Sequence, residues 1–439
     1  MANFKLRKGV DLSLKGALAD NETAQVASSR HAVVPDDFVG IIPRLDVREG
    51  DKVLVGDALF HDKNHPEIKI TSPVSGTVDK IVRGERRKIL SVDVLSDSSI
   101  TKKKFETADV RQALLDSGLW ACMRQRPYDV VPEPGVAPRD IFVTAFDSAP
   151  LAGDFGVILA GKEQYLQRGV DALAKLTEGK VYVGCKPGCE LKLDNCVVNT
   201  FHGPHPAGNA GVQLANVKPV NKGEVVWTLD AVTLARIGEL LDTGTLPVDT
   251  VVAVVGENVV RPKYVKCTIG CDVASIIEGN IADSQNSRII SGNVLTGAKV
   301  DASGYLRFPY RQLTVIPEVR DDAEFMGWAS LSPSKFSLYR SFTCRLFGSR
   351  KPFSFDSKLN GGERAIIMSG EYDRMLPMDI YAEFLIKAIL AFDIDKMEQL
   401  GIYEVAPEDF ALCEFADTSK LELQRIVREG LERLRKEMN

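Results

Sequence analysis

The chain has 439 residues, of which 44% are hydrophobic and 26% are charged, and its formal net charge at pH 7 is −5. This balance is typical of a soluble globular protein with large buried cores, and the basic runs at 86–88 and 102–104 are too short to predict binding to nucleic acid. No segment approaches the roughly 20 apolar residues that cross a bilayer, and the N-terminus lacks the apolar core of a signal peptide, so we expect a cytoplasmic chain.

Residues 1–103 are predicted to form a β barrel-sandwich domain with an N-terminal segment. Short apolar runs separated by Gly, Asp and Pro predict its strands, which are Phe38–Ile42, Lys52–Val55, Ile68–Ile70 and Ile89–Val94. Pro73 and Gly76 bend one strand into the next, as in biotinyl and lipoyl carrier domains. Lys63 lies in about the region of the modified lysine of such carriers, but the segment after it is longer than the carrier spacing. We expect an unmodified copy of that fold, with a lipoylated or biotinylated Lys63 as the alternative.

Residues 104–255 alternate helical and strand patterns, which predicts an α/β domain. A helix is expected at Thr107–Cys122, capped by Thr107, followed by a strand at Ile141–Ala145, a helix at Glu163–Leu176 and a strand at Lys180–Val183. No strand is followed by Gly-x-Gly-x-x-Gly, and the chain has no Gly-x-x-x-x-Gly-Lys-Ser/Thr. The sequence therefore predicts a Rossmann-like domain without a nucleotide fingerprint.

Three cysteines of this region, Cys185, Cys189 and Cys196, form the densest cysteine group of the chain. The chain has no Cys-x-x-Cys, which a four-iron cluster requires as part of its compact ligand loop. The wider spacing is compatible with tetrahedral zinc, with Cys267 and Cys271 as distant partners. We expect buried thiols and no metal, and we keep zinc as the alternative.

The stretch FHGPHPAGNAG, residues Phe201 to Gly211, combines two histidines, two prolines and three glycines. Proline fixes φ and glycine allows positive φ and close approach, so this composition predicts a shaped loop beside another backbone or a flat ligand. His202 and His205 are candidates for hydrogen bonding or proton transfer to a ligand. The alternative is that both histidines only cap backbone carbonyl groups in a rigid turn.

Residues 256–330 are predicted to form a small β-grasp domain of the SLBB type. Its expected elements are strands at Val251–Val255, Val265–Thr268, Ser291–Val294 and Gln312–Ile316 around a helix at Val273–Glu278.

Residues 331–439 are predicted to form a helical domain. Met378–Phe392 has apolar residues at helical spacing, and Ser419 with Glu422 predicts a capping box ahead of the last helix.

Five strings occur along the whole chain in an order that resembles one family. They are GVDLSLKG at 9–16, LWACMRQRPYDVVPEPGVAPRDIFVTAFD at 119–147, GPHPAGNAG at 203–211, SGNVLTG at 291–297 and EYDRMLPMDI at 371–380. The chain resembles the family of the A subunit of the bacterial sodium-translocating NADH:quinone oxidoreductase. It is also similar to the C subunit of the Rnf complex and to the flavin-binding subunit of respiratory complex I, but their glycine-rich flavin loop and closely spaced cluster cysteines are missing here.

The resemblance implies a peripheral location on the cytoplasmic face of the bacterial inner membrane. The partners of the chain would be five other subunits of a complex that passes electrons from NADH to ubiquinone and exports sodium. The flavins, the iron–sulfur groups and the NADH site belong to those subunits, so this chain is expected to hold no tight cofactor and to be no catalyst by itself.

The resemblance also implies an association with quinone, for which we predict Phe201, His205 and Trp227 as contacts. Aromatic side chains suit the flat ring, and an imidazole can donate to a ring carbonyl. The family string begins at Gly203, so His202 is the weaker histidine candidate. The alternative is a purely structural docking subunit that binds no small molecule.

Overall fold

The computed structural model describes residues 2–97, 100–189, 191–319, 336, 338 and 352–438. The boundary predicted at 330/331 lies outside these ranges. The helices within the described ranges are α1 Val110–Ser117, α2 Phe155–Ile158, α3 Glu163–Leu173, α4 Ala210–Val217, α5 Ala231–Thr243, α6 Val273–Ile277, α7 Glu371–Met375, α8 Ala382–Ala391, α9 Ile394–Gln399, α10 Ala411–Ala416 and α11 Leu423–Met438.

The N-terminal domain is a sandwich of two antiparallel sheets, as predicted. The sheets have the orders β3-β9-β8-β5 and β4-β6-β7. Their strands are β3 Arg30–Val33, β4 Pro43–Leu45, β5 Lys52–Val53, β6 Ala58–Asp62, β7 Lys69–Thr71, β8 Gly76–Arg83 and β9 Ile89–Ser96.

The strand predicted at Phe38–Ile42 is wrong. Pro35 opens a 3-10 turn at Pro35–Asp37, and Gly40 has a φ of +91°, so the backbone turns through this apolar run.

The α/β domain has a six-stranded sheet in the order β1-β13-β12-β11-β14-β10, in which only β10 is antiparallel to its neighbour. Helices α3 and α5 cover one face, and α4 covers the other. The strands are β1 Asn3–Lys5, β10 Arg124–Arg126, β11 Asp140–Thr144, β12 Val181–Cys185, β13 Cys196–His202 and β14 Val226–Asp230.

Helix α1 is shorter than predicted because its cap is Asp109 and not Thr107. The Asp109 carboxylate accepts the N–H of Gln112 at 3.2 Å. The helix ends at Gly118, which has a φ of +83°, and a 3-10 turn follows at Leu119–Cys122.

The third sheet has the order β18-β17-β19-β15-β16-β2 and packs against α6. Apart from β2, its first strand starts at Asp249, ahead of the predicted boundary at 256. The strand predicted at Ser291–Val294 is wrong in its bounds, because the side-chain oxygen of Asn293 accepts the N–H groups of Leu295 and Thr296 and closes a turn there. The strands are β2 Thr23–Gln25, β15 Asp249–Val255, β16 Lys263–Thr268, β17 Ser287–Ser291, β18 Ala298–Val300 and β19 Gln312–Pro317.

The N-terminal segment belongs to two other sheets. Strand β1 pairs with β13 in parallel, with Phe4 opposite Phe201, and β2 pairs with β16, with Ala24 opposite Val265. The first 25 residues therefore tie the α/β sheet to the third sheet before the chain enters its own sandwich.

Helices α7 to α11 form the C-terminal part, and their core also includes Leu6, Phe201 and Val212 from the N-terminal segment and the α/β domain. Helix α8 starts at Ala382, later than the predicted Met378. The predicted capping box is wrong: Glu414 accepts the N–H of Gln424 at 2.8 Å, while the Ser419 hydroxyl donates to the Ala365 carbonyl at 3.0 Å. Over the described residues, every helix is either too short or too polar to cross a membrane.

Candidate ligand-binding cleft

A cleft of about 440 Å³ opens at the carboxyl ends of β11 and β14. From β11 the chain runs outward through β12 and β13 on one side, and β14 then adds to the other side of β11. Such a reversal leaves a crevice outside the strand ends, which is where ligands bind in open α/β sheets. All four parts of the chain supply its walls, for example Asp37, Asp147, Arg307 and Glu408.

His205 lines this cleft and is only 3% exposed. Its Nδ1 lies 3.0 Å from the Ser148 hydroxyl, which accepts the N–H of Gly208 at 2.8 Å. In the tautomer in which Ser148 donates to Nδ1, the ring proton is on Nε2, which is buried and has no protein partner among the described residues. Burial lowers the pKa of His205 to about 4, so the imidazole is neutral at pH 7.

The backbone of the His205 loop is held by the N-terminal segment. The Asp11 carboxylate accepts the N–H of His205 at 2.8 Å, and the N–H of Val10 donates to the His205 carbonyl at 2.9 Å. Gly9 has a φ of +108°, and a Cβ there would overlap that same carbonyl oxygen. The two sequence strings at 9–16 and 203–211 therefore contact each other in the folded chain.

Phe201 and Trp227 lie outside the cleft wall and on opposite faces of the sheet. Phe201 stacks on Phe4 at a centroid distance of 4.9 Å in the core shared with the C-terminal helices. Trp227 packs edge-to-face on Trp120 at 5.0 Å under α5. Of the three predicted quinone contacts, only His205 lines the cleft. His202 is exposed at the end of β13.

The cleft has aromatic walls that sequence reasoning missed, formed by Phe146, Phe155, Phe308 and Tyr310. Phe146 directly follows the strand predicted at Ile141–Ala145. Because ligands bind at the carboxyl ends of such strands, this position could have been predicted from the sequence. Phe308 and Tyr310 come from the third domain, and no local pattern in the sequence places them there.

Carboxyl groups outnumber guanidinium groups in the lining by six to three. Arg307 pairs with Asp37 at 2.6 Å and Arg311 pairs with Asp230 at 2.7 Å, so both cations are already neutralised. The carboxyl groups are Asp36, Asp37, Asp129, Asp147, Asp230 and Glu408, and the guanidinium groups are Arg124, Arg307 and Arg311. Arg124 donates to the Ala121 and Asp37 carbonyls. The cations of the lining are therefore occupied by protein groups, which suits an uncharged ligand better than a phosphate-bearing one.

The cysteine group does not assemble a metal site in the described part of the chain. There, no three or more His, Cys, Asp or Glu residues are arranged to hold a metal ion. The Cys185 thiol lies 3.4 Å from the Asn199 carbonyl, and the Cys196 thiol lies 3.7 Å from the Leu193 carbonyl. Burial raises the pKa of Cys196 to about 11, which keeps it a thiol.

Lys63 lies in the loop between β6 and β7 and is exposed. Its N–H donates to the Ile42 carbonyl at 2.8 Å, and the carboxylate of Asp62 accepts the N–H of Ile42 at 2.7 Å and that of His65 at 3.0 Å. These bonds fix a loop at residues 63–68.

Comparison with known proteins places the same three domains along the chain. The models of the NqrA N-terminal barrel-sandwich hybrid domain, the NqrA second alpha/beta domain and the NQRA C-terminal domain match residues 4–97, 105–246 and 251–302.

Full-length relatives carry the name of the A subunit of Na(+)-translocating NADH-quinone reductase. One is from Saccharophagus degradans, at 37% identity over 448 residues, and another is from Photorhabdus laumondii, at 36% over 448 residues. Each alignment covers 99% of this chain and 100% of the relative. A structure of NAD+-reducing [NiFe]-hydrogenase in the H2-reduced state aligns at 12% identity and a TM-score of 0.36, over 47% of this chain and 46% of that one, which is too weak to support an argument.

Proposed function

Because the chain belongs to the family of the A subunit of Na(+)-translocating NADH-quinone reductase, we propose that it is a peripheral subunit whose cleft binds the quinone head group. It is held on the cytoplasmic face of the bacterial inner membrane by the other five subunits. The complex reduces ubiquinone to ubiquinol and exports Na⁺. Flavins and iron–sulfur clusters belong to the partners, and this chain supplies no tightly bound cofactor.

The observation that carries the quinone proposal is the state of His205 in the cleft. A quinone ring is flat and uncharged, and it needs aromatic contacts and a donor at a carbonyl oxygen. The neutral imidazole of His205, a residue of the cleft lining, has a ring nitrogen without a partner in the described chain, and aromatic side chains line the same cleft. Arg307 and Arg311 are already paired with Asp37 and Asp230, so they are not free to hold the phosphates of a flavin or a nicotinamide nucleotide, and this favours the uncharged ligand.

His205 acts in this proposal as a hydrogen-bond donor and orienting group. With its pKa lowered to about 4 by burial, it holds no second proton to give at neutral pH. Ser148, fixed by Gly208, sets the ring orientation through Nδ1. Electrons reach the quinone from the partner subunits.

Two substitutions at one position test this role. The amide of glutamine reaches about as far as Nε2 of histidine, and that of asparagine about as far as Nδ1. We expect His205→Asn to weaken binding of ubiquinone-1 to the full chain about tenfold, which corresponds to one hydrogen bond of about 1.4 kcal/mol, and His205→Gln to stay within about threefold of wild type. Calorimetric titration and thermal unfolding are measured on one preparation. Equal affinities for all three proteins would remove His205 from the site.

A second candidate function is docking without a small ligand, and the exposed apolar side of α8 favours it. Tyr381, at the N-cap of α8, and Phe384 are both more than half exposed, and their rings meet edge-to-face at a centroid distance of 6.3 Å. Leu390, near the end of the helix, is also more than half exposed. A membrane-embedded subunit would cover them. Phe384→Glu is then expected to reduce recovery of the chain with affinity-purified partner subunits at least fivefold, on the order of 1 kcal/mol. Val260→Glu, at an apolar position of similar exposure in the third domain, is the matched control and should be recovered like wild type.

The carrier alternative rests on the exposed loop of Lys63. An attached lipoyl or biotinyl group would add its mass to the natively expressed chain, and Lys63→Arg would abolish that addition. We expect the intact mass to equal that of the unmodified sequence.

A further inference from the structure

A second cavity, of about 70 Å³, lies where the sandwich, the α/β domain and the third domain meet. It borders the large cleft at Asp37, Cys122 and Phe308, and its other walls are its own. Most of these are apolar, including Val33, Ile70, Leu119, Leu246, Ile269 and Leu306. Two residues with charged side chains interrupt this lining. Asp37 pairs with Arg307, whereas the second side chain has no partner of opposite charge in the described chain.

That side chain is Arg236, which lies on α5 and is 2% exposed. A guanidinium has five N–H donors. Within the described residues, Arg236 makes one hydrogen bond, from Nη2 to the Asp249 carbonyl at 3.4 Å, and its Nε is buried with no acceptor. No described carboxylate forms an ion pair with it.

The carboxylates that interact electrostatically with Arg236 already form ion pairs with other cations. Asp230 pairs with Arg311 at 2.7 Å, and Glu239 pairs with Lys162 at 2.9 Å. Burial raises the pKa of Cys122 to about 11, so its thiol is neutral. Burial, with a smaller contribution from Arg311, lowers the pKa of Arg236 to about 10, and Arg236 is therefore still a cation at pH 7.

The other two buried arginines of the described chain show what is missing. Arg126 lies 2.7 Å from the Asp409 carboxylate, and Arg311 has Asp230. A buried charge is costly unless it is paired and hydrogen-bonded. Arg236 is buried like these two residues, but no carboxylate forms an ion pair with it in the described chain.

We propose that this cavity binds a small monovalent anion against the Arg236 guanidinium, and that the ligand is a short-chain carboxylate. The planar guanidinium matches a carboxylate with two parallel hydrogen bonds, and the apolar walls accept its methylene groups. One water needs about 10–15 Å³ of such space, so the cavity has room for several heavy atoms. The site is separate from the proposed quinone contact at His205 and does not depend on it.

The test is thermal unfolding of the full chain titrated with sodium butyrate, with the ionic strength held by sodium gluconate, which is too large for the cavity. A ligand of the folded state raises Tm with its concentration, so we expect a rise that follows a single binding constant for wild type. Arg236→Met should show no rise. Arg236→Lys, which keeps the charge but not the planar pair of donors, should bind butyrate about tenfold more weakly, and chloride should bind wild type about tenfold more weakly than butyrate.

A butyrate-soaked crystal of wild type should show the carboxylate on the guanidinium of Arg236. The proposal is overturned if wild type gains no stability from butyrate, if Arg236→Met gains as much as wild type, or if only water lies on the guanidinium. Equal effects of chloride and butyrate would overturn the carboxylate assignment. Should Arg236→Met not fold, the titrations of wild type and Arg236→Lys still decide.

Discussion

His205 shows how its surroundings set the chemistry of a residue that composition alone leaves open. The Gly- and Pro-rich string identified the loop, and the loop does bring one histidine to the cleft. Its neutral state depends on burial between Ser148 and the N-terminal segment, which are distant in the sequence. Likewise, Trp227 and Phe201 lie on opposite faces of the α/β sheet because of the register of its strands. No local sequence pattern determines that register.

The lowered pKa of His205 predicts a pH dependence of stability. Its folded-state pKa of about 4 lies below the unfolded value of 6.5, so the unfolded chain binds the proton more readily, and stability is lost as pH falls from about 6.5 to 4. His205→Gln lacks this proton-binding site. We expect the stability advantage of wild type over His205→Gln to shrink by about 2 to 3 kcal/mol between pH 7 and pH 4.5, measured by urea unfolding. A constant difference would show that the imidazole titrates alike in both states.

Gly9 gives a prediction on the contact between the two family strings. Gly9→Ala adds a Cβ against the His205 carbonyl at a positive φ, and we expect a loss of about 3 kcal/mol. Gly50→Ala is the matched control, because Gly50 has a φ of +90° but open space around it, so its cost should be limited to about 1 kcal/mol. Chemical denaturation of both variants measures the difference, and equal costs would mean that the contact is unimportant.

Among the elements, those with strong periodicity were the most predictable. The helix predicted from Glu163 starts at that residue, and the strand predicted from Gln312 does as well. The errors occurred where a single residue redirects the backbone. Gly40 turns the chain inside an apolar run, and Asp109 takes the capping position from Thr107. Groups that are distant in the sequence also compete for hydrogen bonds. The Ser419 hydroxyl, for example, donates to the Ala365 carbonyl and does not cap the last helix.

The start of α11 gives a prediction at this scale. Near the start of α11, the N–H of Gln424 donates to the carboxylate of Glu414, which belongs to α10. The exposed Glu422 pairs with Arg425 on the surface of α11. Glu414→Ala should therefore cost about 1 kcal/mol of unfolding free energy, and Glu422→Ala at most about 0.5 kcal/mol. The capping box predicted from the sequence gives the opposite order, so urea unfolding of the two variants decides between them.

At the scale of the whole molecule, a buried ion pair links the α/β sheet to the C-terminal helices. Arg126 on β10 contacts Asp409 at 2.7 Å and the Glu404 carbonyl at 2.7 Å. Arg126→Met leaves a buried carboxylate without its cation, which should cost about 3 to 5 kcal/mol, and the double variant Arg126→Met/Asp409→Asn should recover part of this loss. Urea unfolding measures both. No recovery in the double variant would mean that packing of the arginine, and not its charge, holds the two parts together.

The cleft itself could not be found from the sequence, because it exists only once four parts of the chain have met. The sequence indicated the α/β pattern and the loop at 201–211. Neither the strand order that opens the crevice nor the approach of Phe308 and Glu408 from other domains leaves a local signal.

The N-terminal strands bear on how the chain is made on the ribosome. Strand β1 needs β13 as its partner, and β2 needs β16, and each partner is translated about 200 or more residues later. At about 5–20 residues per second, roughly 10 to 40 s pass in which these two strands have been synthesised but their partners have not. Throughout that interval, β1 and β2 have no partner strand in their own chain, and their backbone groups are open to pairing with nascent chains on neighbouring ribosomes. These two strands thus leave the ribosome long before the strands with which they pair.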